Sequence, residues 1–437
     1  MYAFNKEDYL KRMEWYVESR FGMFIHWGLY AIPARGEWMR SVERMTDEAY
    51  QRYFEEFNPR DYDPRKWARA AKDAGMKYMI LTAKHHDGFC LFDSSFTDFK
   101  STNTPCGRDL VKEYVEAARD EGLRVGLYYS LLDWHHEDFP HFSDGSHPMH
   151  DNPLYADENR NWDNYITFMH NQIRELCTNY GRLDVLWFDY SYGEMSGEKW
   201  AATKLVNMVR NLQPGIIIDN RLEASGSGLG SLASGNPLPY HGDFVSPEQI
   251  IPQDGVRDVN GEPLIWESCF TMNDSWGYNA RDKYFKPASM LIKKLVECVS
   301  KGGNMLLNVG PDAYGNIPEE SLQTLKEIGV WMKKNGASLY GCGRSSLQRP
   351  EFGRITQNGN KLYYHIFENT VGPIPLMELT KKQVKKIRLI STGAEIPVAD
   401  NWVSRNYPEI TFADLGINPV LPDPTDTVIE VEINENE

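Results

Sequence analysis

The chain lacks the marks of several large protein classes. No apolar run is long enough to cross a bilayer, and the opening MYAFNKEDYLKRMEWY has no apolar segment of a secretory leader. No long basic run is present and the net charge is −15, which argues against nucleic acid and against an anionic membrane surface as partners. Cysteine is sparse: six residues, Cys90, Cys106, Cys177, Cys269, Cys298 and Cys342, are scattered with no C-x-x-C. That pattern predicts reduced thiols and a cytoplasmic protein, unless a leader was trimmed from the sequence. There is no G-x-G-x-x-G after the first strand, no G-x-S-x-G elbow, and no His-x-His pair on the first strand. Dinucleotide binding, serine hydrolysis of that type and a strand-borne metal pair therefore have no motif behind them.

What is present is an alternation of helices and short apolar strands. Asp63 can cap a helix that has Pro64 at its first position and Trp67, Ala70, Ala71 and Ala74 on one face. Gly75, Gly122 and Gly181 each follow a helix pattern and precede an apolar strand: Tyr78–Ala83, Val125–Tyr129 and the run ending at Asp189. Helices are predicted over Thr46–Phe57, Asp109–Glu121, Asp157–Tyr180, Ser196–Leu212 and Lys283–Lys301. Further strands are predicted at Phe21–Trp27, Ile216–Asp219, Leu264–Trp266 and Asn304–Val309, and Glu223–Tyr240 reads as a flexible loop at the mouth. Strands separated by helices form a parallel sheet, and polar or aromatic residues at each strand end favour an α/β fold of the (β/α)8-like TIM barrel kind.

Beyond about Tyr340 the pattern changes to short β runs: Lys361–Phe367, Val384–Ile390, Glu409–Leu415 and Val428–Ile433, with no helix between them. In the last, Ile429, Val431 and Ile433 alternate with Glu430 and Glu432. The expected organisation is a catalytic barrel over residues 1–339 and a C-terminal antiparallel β-sandwich over 340–437, ending in a polar NENE tail.

Function enters at LDVLWFDY, Leu183–Tyr190, a buried strand that ends in the acid Asp189. An Asp there also suits a helix cap or a loop hydrogen bond. The other strand ends collect His26, Trp27, Glu37, Trp38, His85, His86, Tyr128, Trp187, Arg221, Glu248, Glu267 and Trp276. Singly, each suits a core or a hydrogen-bonding role. Together they resemble a sugar site, where hydroxyls meet His, Glu and Arg and the apolar ring face meets Trp. Metal-assisted hydrolysis has less support. His85 and His86 are adjacent, so on a strand they point to opposite faces, and His135–His136–Glu137 falls in a polar loop expected to be solvated. Cys269 reads as a structural thiol. Glycoside hydrolysis needs two carboxylates. Asp189 is the first; Glu248, in GDFVSPEQ, and Glu267, in WESC, both qualify by position for the second, and spacing does not choose between them.

Seven blocks, FGMFIHWG, GEW, KHHDGF, GLYYS, LWFDY, SWGYN and KGGNMLLNVGPDAYGNIP, together resemble the α-L-fucosidases of glycoside hydrolase family 29, from about residue 15 to 340. The resemblance implies an exo-acting retaining enzyme that needs no cofactor and no metal, with a fucosylated oligosaccharide or glycoconjugate as partner. It implies Asp189 as nucleophile and Glu248 as acid/base, with Glu267 in reserve because the Gly/Ser-rich loop before Glu248 softens the match. His26, Glu37, His85, His86, Tyr128, Trp187 and Arg221 match fucose-contacting positions, with Trp38 beside them, and Trp276 matches an aromatic near the fucose methyl. Another sugar on the same fold, and a catalytically dead fucose-binding protein, are the competing functions; homo-oligomers in which one protomer completes a neighbour's mouth are also open.

Overall fold

A computed structural model describes residues 4–416 and 420–434. The outer residues of the NENE tail and of the opening segment lie outside that range. Among the described residues the first unit runs α1 (Lys6–Ser19), β1 (Phe21–Ile25), α2 (Met39–Val42), α3 (Asp47–Glu56), α4 (Pro64–Asp73), β2 (Tyr78–Lys84), α5 (Leu110–Asp120), β3 (Arg124–Ser130), α6 (Trp162–Asn179), β4 (Val185–Asp189), α7 (Ala202–Leu212), β5 (Ile217–Ile218), β6 (Glu267–Thr271), α8 (Ala288–Ser300), β7 (Asn304–Val309) and α9 (Glu319–Asn335). The seven strands pair in parallel in the order β5-β4-β3-β2-β1-β7-β6. The segment 243–248 fills the remaining gap. It makes parallel bridges to both edges, Asp219 to Phe244 on one side and Val245 to Trp266 and Glu248 to Cys269 on the other. The α/β barrel predicted from the sequence is therefore present, closed by an irregular eighth segment.

Strand periodicity sorts the side chains into two shells. Phe24, Ile80, Tyr128, Val185, Trp187, Ile217, Phe244 and Leu306 pack together inside the barrel. Their neighbours Met23, Met79, Leu127, Leu186, Ile218 and Leu307 join the larger core that packs the helices. Alternation at one residue per face produces this division without further instruction. Helix α1, which the sequence reading left unassigned, places Tyr9, Met13 and Tyr16 in the inner cluster and plugs the barrel at the strands' N-terminal end.

Several boundaries moved for local reasons. Thr46, Asp63 and Asp109 cap α3, α4 and α5 with their side chains. Helix α6 begins at Trp162 rather than at 157, because Asn161 is its cap and Asp157 is occupied by the backbone N–H groups of His141, Phe142 and Ser143. The helix expected over 196–212 is broken by Ala201 at φ 50° into a 3-10 turn and α7. Pro287 delays α8 to Ala288, since the residue before a proline is kept out of the helical region. The strand expected at 264–266 begins instead at Glu267. Residues 223–240 form a chain of turns.

The C-terminal unit has a five-stranded antiparallel sheet and a two-stranded one. In chain order the strands are β8 (Gly343–Arg344), β9 (Gly353–Asn358), β10 (Lys361–Ile366), β11 (Ile374–Leu376), β12 (Val384–Leu389), β13 (Thr411–Ala413) and β14 (Thr427–Ile433). A short helix, α10 (Trp402–Asn406), interrupts what was expected to be helix-free. Strands β8, β9 and β11 fall outside the predicted runs. Ile429 and Val431 face Leu362, Ile387 and Leu376 in the core of this unit. From the other face of the larger sheet, Tyr363 and Val428 join the barrel's core. No described helix is long and apolar enough to cross a membrane.

One buried acid ties the irregular part of the barrel together. Asp243 accepts from Arg12 of α1 at 2.7 Å, from Arg210 of α7 at 3.0 Å and from the backbone N–H of Ile218 at 2.9 Å, with its side chain fully enclosed. Removing it strands two cations and a backbone donor. Asp243→Ala should lower stability by about 3–5 kcal/mol, read as a fall in the urea midpoint at unchanged slope; a loss below about 1 kcal/mol would show that the tie is dispensable.

Candidate active site

Asp189 lies two residues beyond Trp187 and four beyond Val185, on the inward face of β4 at its C-terminal end. It sits in the mouth rather than the wall for that reason. Arg221 donates to its Oδ1 at 2.6 Å, Tyr128 donates to its Oδ2 at 2.8 Å, and His86 Nε2 is 3.9 Å from Oδ2. Burial alone would raise this carboxyl; the Arg221 charge, then His86 and the hydrogen bonds from Arg221 and Tyr128, bring it below the ordinary Asp value.

Arg221 is the hinge of the site. It follows the two-residue strand β5, and its guanidinium is almost wholly buried at 3% exposure. A second nitrogen, Nη2, donates to Glu248 Oε2 at 3.0 Å. One guanidinium thus holds both acids, a separation compatible with the roughly 5–5.5 Å of a retaining pair. The guanidinium carbon also lies 4.5 Å above the Trp187 ring. Nε donates to Ser246 Oγ, which is fixed by Asn220 Oδ1. Glu248 is the more open acid, 38% exposed against 15% for Asp189.

His26, two residues past Phe24, also points inward. Its Nδ1 meets Asn308 Oδ1 at 2.7 Å, while Asn308 Nδ2 donates to the Trp276 carbonyl at 2.7 Å. That network assigns the proton to Nδ1 and leaves Nε2 free to accept. Burial pushes His26 down to about 3 and His86 to about 4, and it drives His85 well below the usual value. All three imidazoles are neutral at neutral pH, each with one donor and one acceptor nitrogen.

His85 and His86 both line the pocket, with ring centroids 4.1 Å apart, against the expectation of opposite faces. The cause is local: pairing to β3 shifts register between Thr82 and Lys84, and the strand ends at Lys84. Glu37 enters from the loop after β1, and its Oε2 accepts from the Gly277 N–H at 2.7 Å; burial raises its carboxyl. Trp38 lies against His86 at 5.0 Å. Trp276 faces His26 at 5.0 Å across the cavity. Gly310 lets this loop approach, since a Cβ there would come within 2.7 Å of the Trp276 carbonyl.

Glu267 is not at the mouth. It is the first residue of β6, on the inward face but two residues below Cys269, so roughly 7 Å deeper. Fully buried, it accepts from Tyr78 in a floor that includes Tyr16 and Asn304. Burial pushes its carboxyl up to about 7, with Tyr78 working against that rise. It does not line the pocket, so the position of reserve acid does not suit it. His135 and His136 are half-buried rather than solvated: His135 stacks on Phe99 at 3.9 Å and His136 lies tilted against Phe168 at 4.2 Å. Among the described residues no three His, Cys, Asp or Glu side chains gather in a geometry that would hold a metal.

Four lining residues were missed as such: Phe24, Tyr190, Tyr192 and Cys269. Phe24 was readable as the inward partner of His26, and Cys269 as an inward residue of its strand. Tyr190 was not, because it takes φ 80°, and that turn carries its ring back over His86.

The cavity is about 100 Å³, floored by aromatic rings and rimmed by donors and acceptors. Two acids sharing a cation over apolar rings is an arrangement for cleaving a bond to a sugar. Fold and pocket together define a barrel-type glycoside hydrolase. Comparison with known proteins narrows the class. Residues 2–337 match the model of the α-L-fucosidase family. α-L-Fucosidase isoenzyme 1 from Paenibacillus thiaminolyticus superposes with a TM-score of 0.94 at 53% identity, covering 98% of this chain and 100% of that one. A family 29 α-L-fucosidase of Bacteroides thetaiotaomicron, solved as a trapped covalent intermediate with 2-fluoro-fucosyl fluoride, gives 0.82 at 30% identity over 97% and 96% of the two chains. Human plasma α-L-fucosidase is 30% identical over 380 residues, 81% of this chain and 75% of the human one. The chain belongs to the α-L-fucosidases of glycoside hydrolase family 29.

The Asn308 bridge has a consequence that kinetics can read. Asn308→Ala removes the acceptor of His26 and the donor to the Trp276 loop. A loss of about 1–3 kcal/mol should be seen mostly as a raised KM for an aryl α-L-fucoside. An unchanged KM would show that the bridge does not set the pocket.

Proposed function

We propose that this α-L-fucosidase removes a terminal fucosyl unit by double displacement, with Asp189 as the nucleophile and Glu248 as the acid and then the base. The observation that carries the reading is the single Arg221 guanidinium bound to both carboxylates at 2.6 and 3.0 Å. In the first step the ionised Asp189 attacks the anomeric carbon while Glu248 gives its proton to the departing oxygen. In the second, Glu248 takes a proton from water, which attacks the same carbon and restores Asp189. Once Asp189 is esterified its charge is gone, and Arg221 is left to Glu248 alone, at the stage that needs Glu248 as a carboxylate.

The remaining pocket residues are read as binders. The neutral imidazoles of His26, His85 and His86, with Glu37 and Tyr128, offer donors and acceptors to the sugar hydroxyls. Trp276 and Phe24 supply an apolar wall for the C6 methyl. One methyl in such a pocket is worth about 1–3 kcal/mol, so slow turnover of a related sugar is expected. The small floored cavity suits one terminal residue and hence exo action.

Asp189→Ala should reduce turnover on the order of ten-thousand-fold, and azide should restore product of inverted configuration. Glu248→Ala should slow natural fucosides by roughly 10²–10⁴ yet spare activated aryl fucosides. Equal losses on both would exclude Glu248 as the proton donor. The lowered Asp189 carboxyl fixes a sign for pH. The nucleophile stays ionised as pH falls past the ordinary Asp value near ~4, so the acid limb of kcat/KM lies below that point. Arg221→Gln should move the limb upward; an acid limb already above ~5 in the unaltered enzyme would contradict the assignment.

A further inference from the structure

The fucose pocket does not end at its own rim. A second, larger cavity of about 560 Å³ opens between the loop after β3 and the turn after β4. The two share Tyr190 and Tyr192, which line both, with ring centroids 4.8 Å apart. Tyr192 is half exposed, an unusual position for a large ring next to a buried site. It lines the fucose pocket beside Arg221, Asp189 and Glu248, so the groove opens from the rim that carries both acids. A leaving oxygen protonated by Glu248 departs on that side.

From Tyr192 the groove runs over Met195 to the Trp162 ring, which Lys199 covers at 4.8 Å. The half-exposed Tyr192 ring and the groove of about 560 Å³ beyond it suit the apolar face and the hydroxyls of sugar units that follow the fucose. Its formal charge is net negative. Asp138, Asp144, Asp157 and Glu194 line it against the cations Arg160 and Lys199. Arg160 is already bound to Asp157 at 3.2 Å, and Lys199 is drawn onto Trp162. Glu194 is exposed to solvent.

We infer that this groove is a leaving-group site for a neutral oligosaccharide of at least two sugar units, and that its acidic lining selects against sialylated or sulfated glycans. The inference rests on the fucosidase reading of the adjoining pocket and adds to it the class of glycan that is released. The natural substrate is then a fucose carried on an extended neutral glycan rather than on a small aglycone, and the groove's contribution vanishes when the leaving group is an aryl ring.

The test compares three substrates: an aryl α-L-fucoside, a neutral fucosylated tetrasaccharide, and the same tetrasaccharide carrying a sialic acid. The unaltered enzyme should favour the neutral tetrasaccharide over the sialylated one by at least tenfold in kcat/KM. Glu194→Lys, which touches only the groove, should narrow that ratio at least threefold and leave the aryl fucoside within twofold. Met195→Lys, which obstructs the floor, should raise KM for both tetrasaccharides and spare the aryl fucoside. The defucosylated trisaccharide should compete with the tetrasaccharide, and less so in Met195→Lys. Aryl hydrolysis together with indifference of the tetrasaccharides to both variants would overturn the groove alone. Failure of the unaltered, folded enzyme to hydrolyse any of the three fucosides would overturn the reading of the pocket and the groove with it.

Discussion

Everything at the mouth depends on a buried cation shared by two acids. Arg221 is nearly inaccessible, and an unpaired guanidinium in that position would carry a desolvation penalty of several kcal/mol. Two carboxylates repay that penalty, and the face of Trp187 lies under the guanidinium besides. The reverse also holds: without the cation the buried Asp189 carboxylate would lose its main compensation. Arg221, Asp189 and Glu248 therefore form one electrostatic unit, and Asn220 and Ser246 fix its position by bonding Oδ1, Oγ and Nε in a chain. The strand before Arg221 is only two residues long, so the chain leaves the sheet early and lets the arginine turn inward.

The barrel interior is layered, and the layers differ in chemistry. At the base, Glu267, Tyr78 and Asn304 form a small polar floor closed off by α1. Above it, Phe24, Ile80, Val185 and Leu306 make an apolar plug. Phe24 carries that plug up to the cavity, and the layer above it, with His26, Asp189, Asn308 and Arg221, supplies the polar groups there. The apolar plug matters for chemistry because it removes water from beneath the site and strengthens each charge interaction above it. Burial of the three histidines follows from the same plug, and it keeps them neutral although they stand beside a carboxylate.

The regular half of this design was legible in the sequence. Caps at Asp63 and Asp109, glycines after helices and apolar runs before polar residues marked the strands from β1 to β4, and with them Asp189 and His26. What the sequence concealed lies where periodicity fails. A register shift of one residue before Lys84 turned both histidines inward, against the alternation rule. The eighth segment, 243–248, makes isolated bridges rather than a ladder, so no strand pattern exposed it, although Glu248 was readable from its motif. Glu267 was misjudged in height. Its inward face was right, but a short apolar run before it was taken for the strand, when the strand begins at Glu267 itself. Helix α10 is five residues held by an Asn401–Ser404 capping box, too short to show a helical period.

The two acids stand on backbone of unlike kind, and that difference follows from what each must do. Asp189 ends a strand that pairs with β3 along its whole length, as far as Ser130, and with β5 over its first two residues, so its carboxylate is held by a regular ladder. A nucleophile must meet one carbon of one sugar, and a displacement of about 1 Å is enough to lose it. Glu248 ends the irregular segment, with Gln249 at φ 56° directly after. In the proposed role its proton goes to an oxygen whose position varies with the glycan being released. A side chain more exposed than its partner, tethered by one nitrogen of Arg221, can follow that oxygen while Arg221 keeps it near the nucleophile. Regularity in the sheet thus goes to the atom that selects the sugar, and irregularity to the atom that must accommodate what the sugar is attached to.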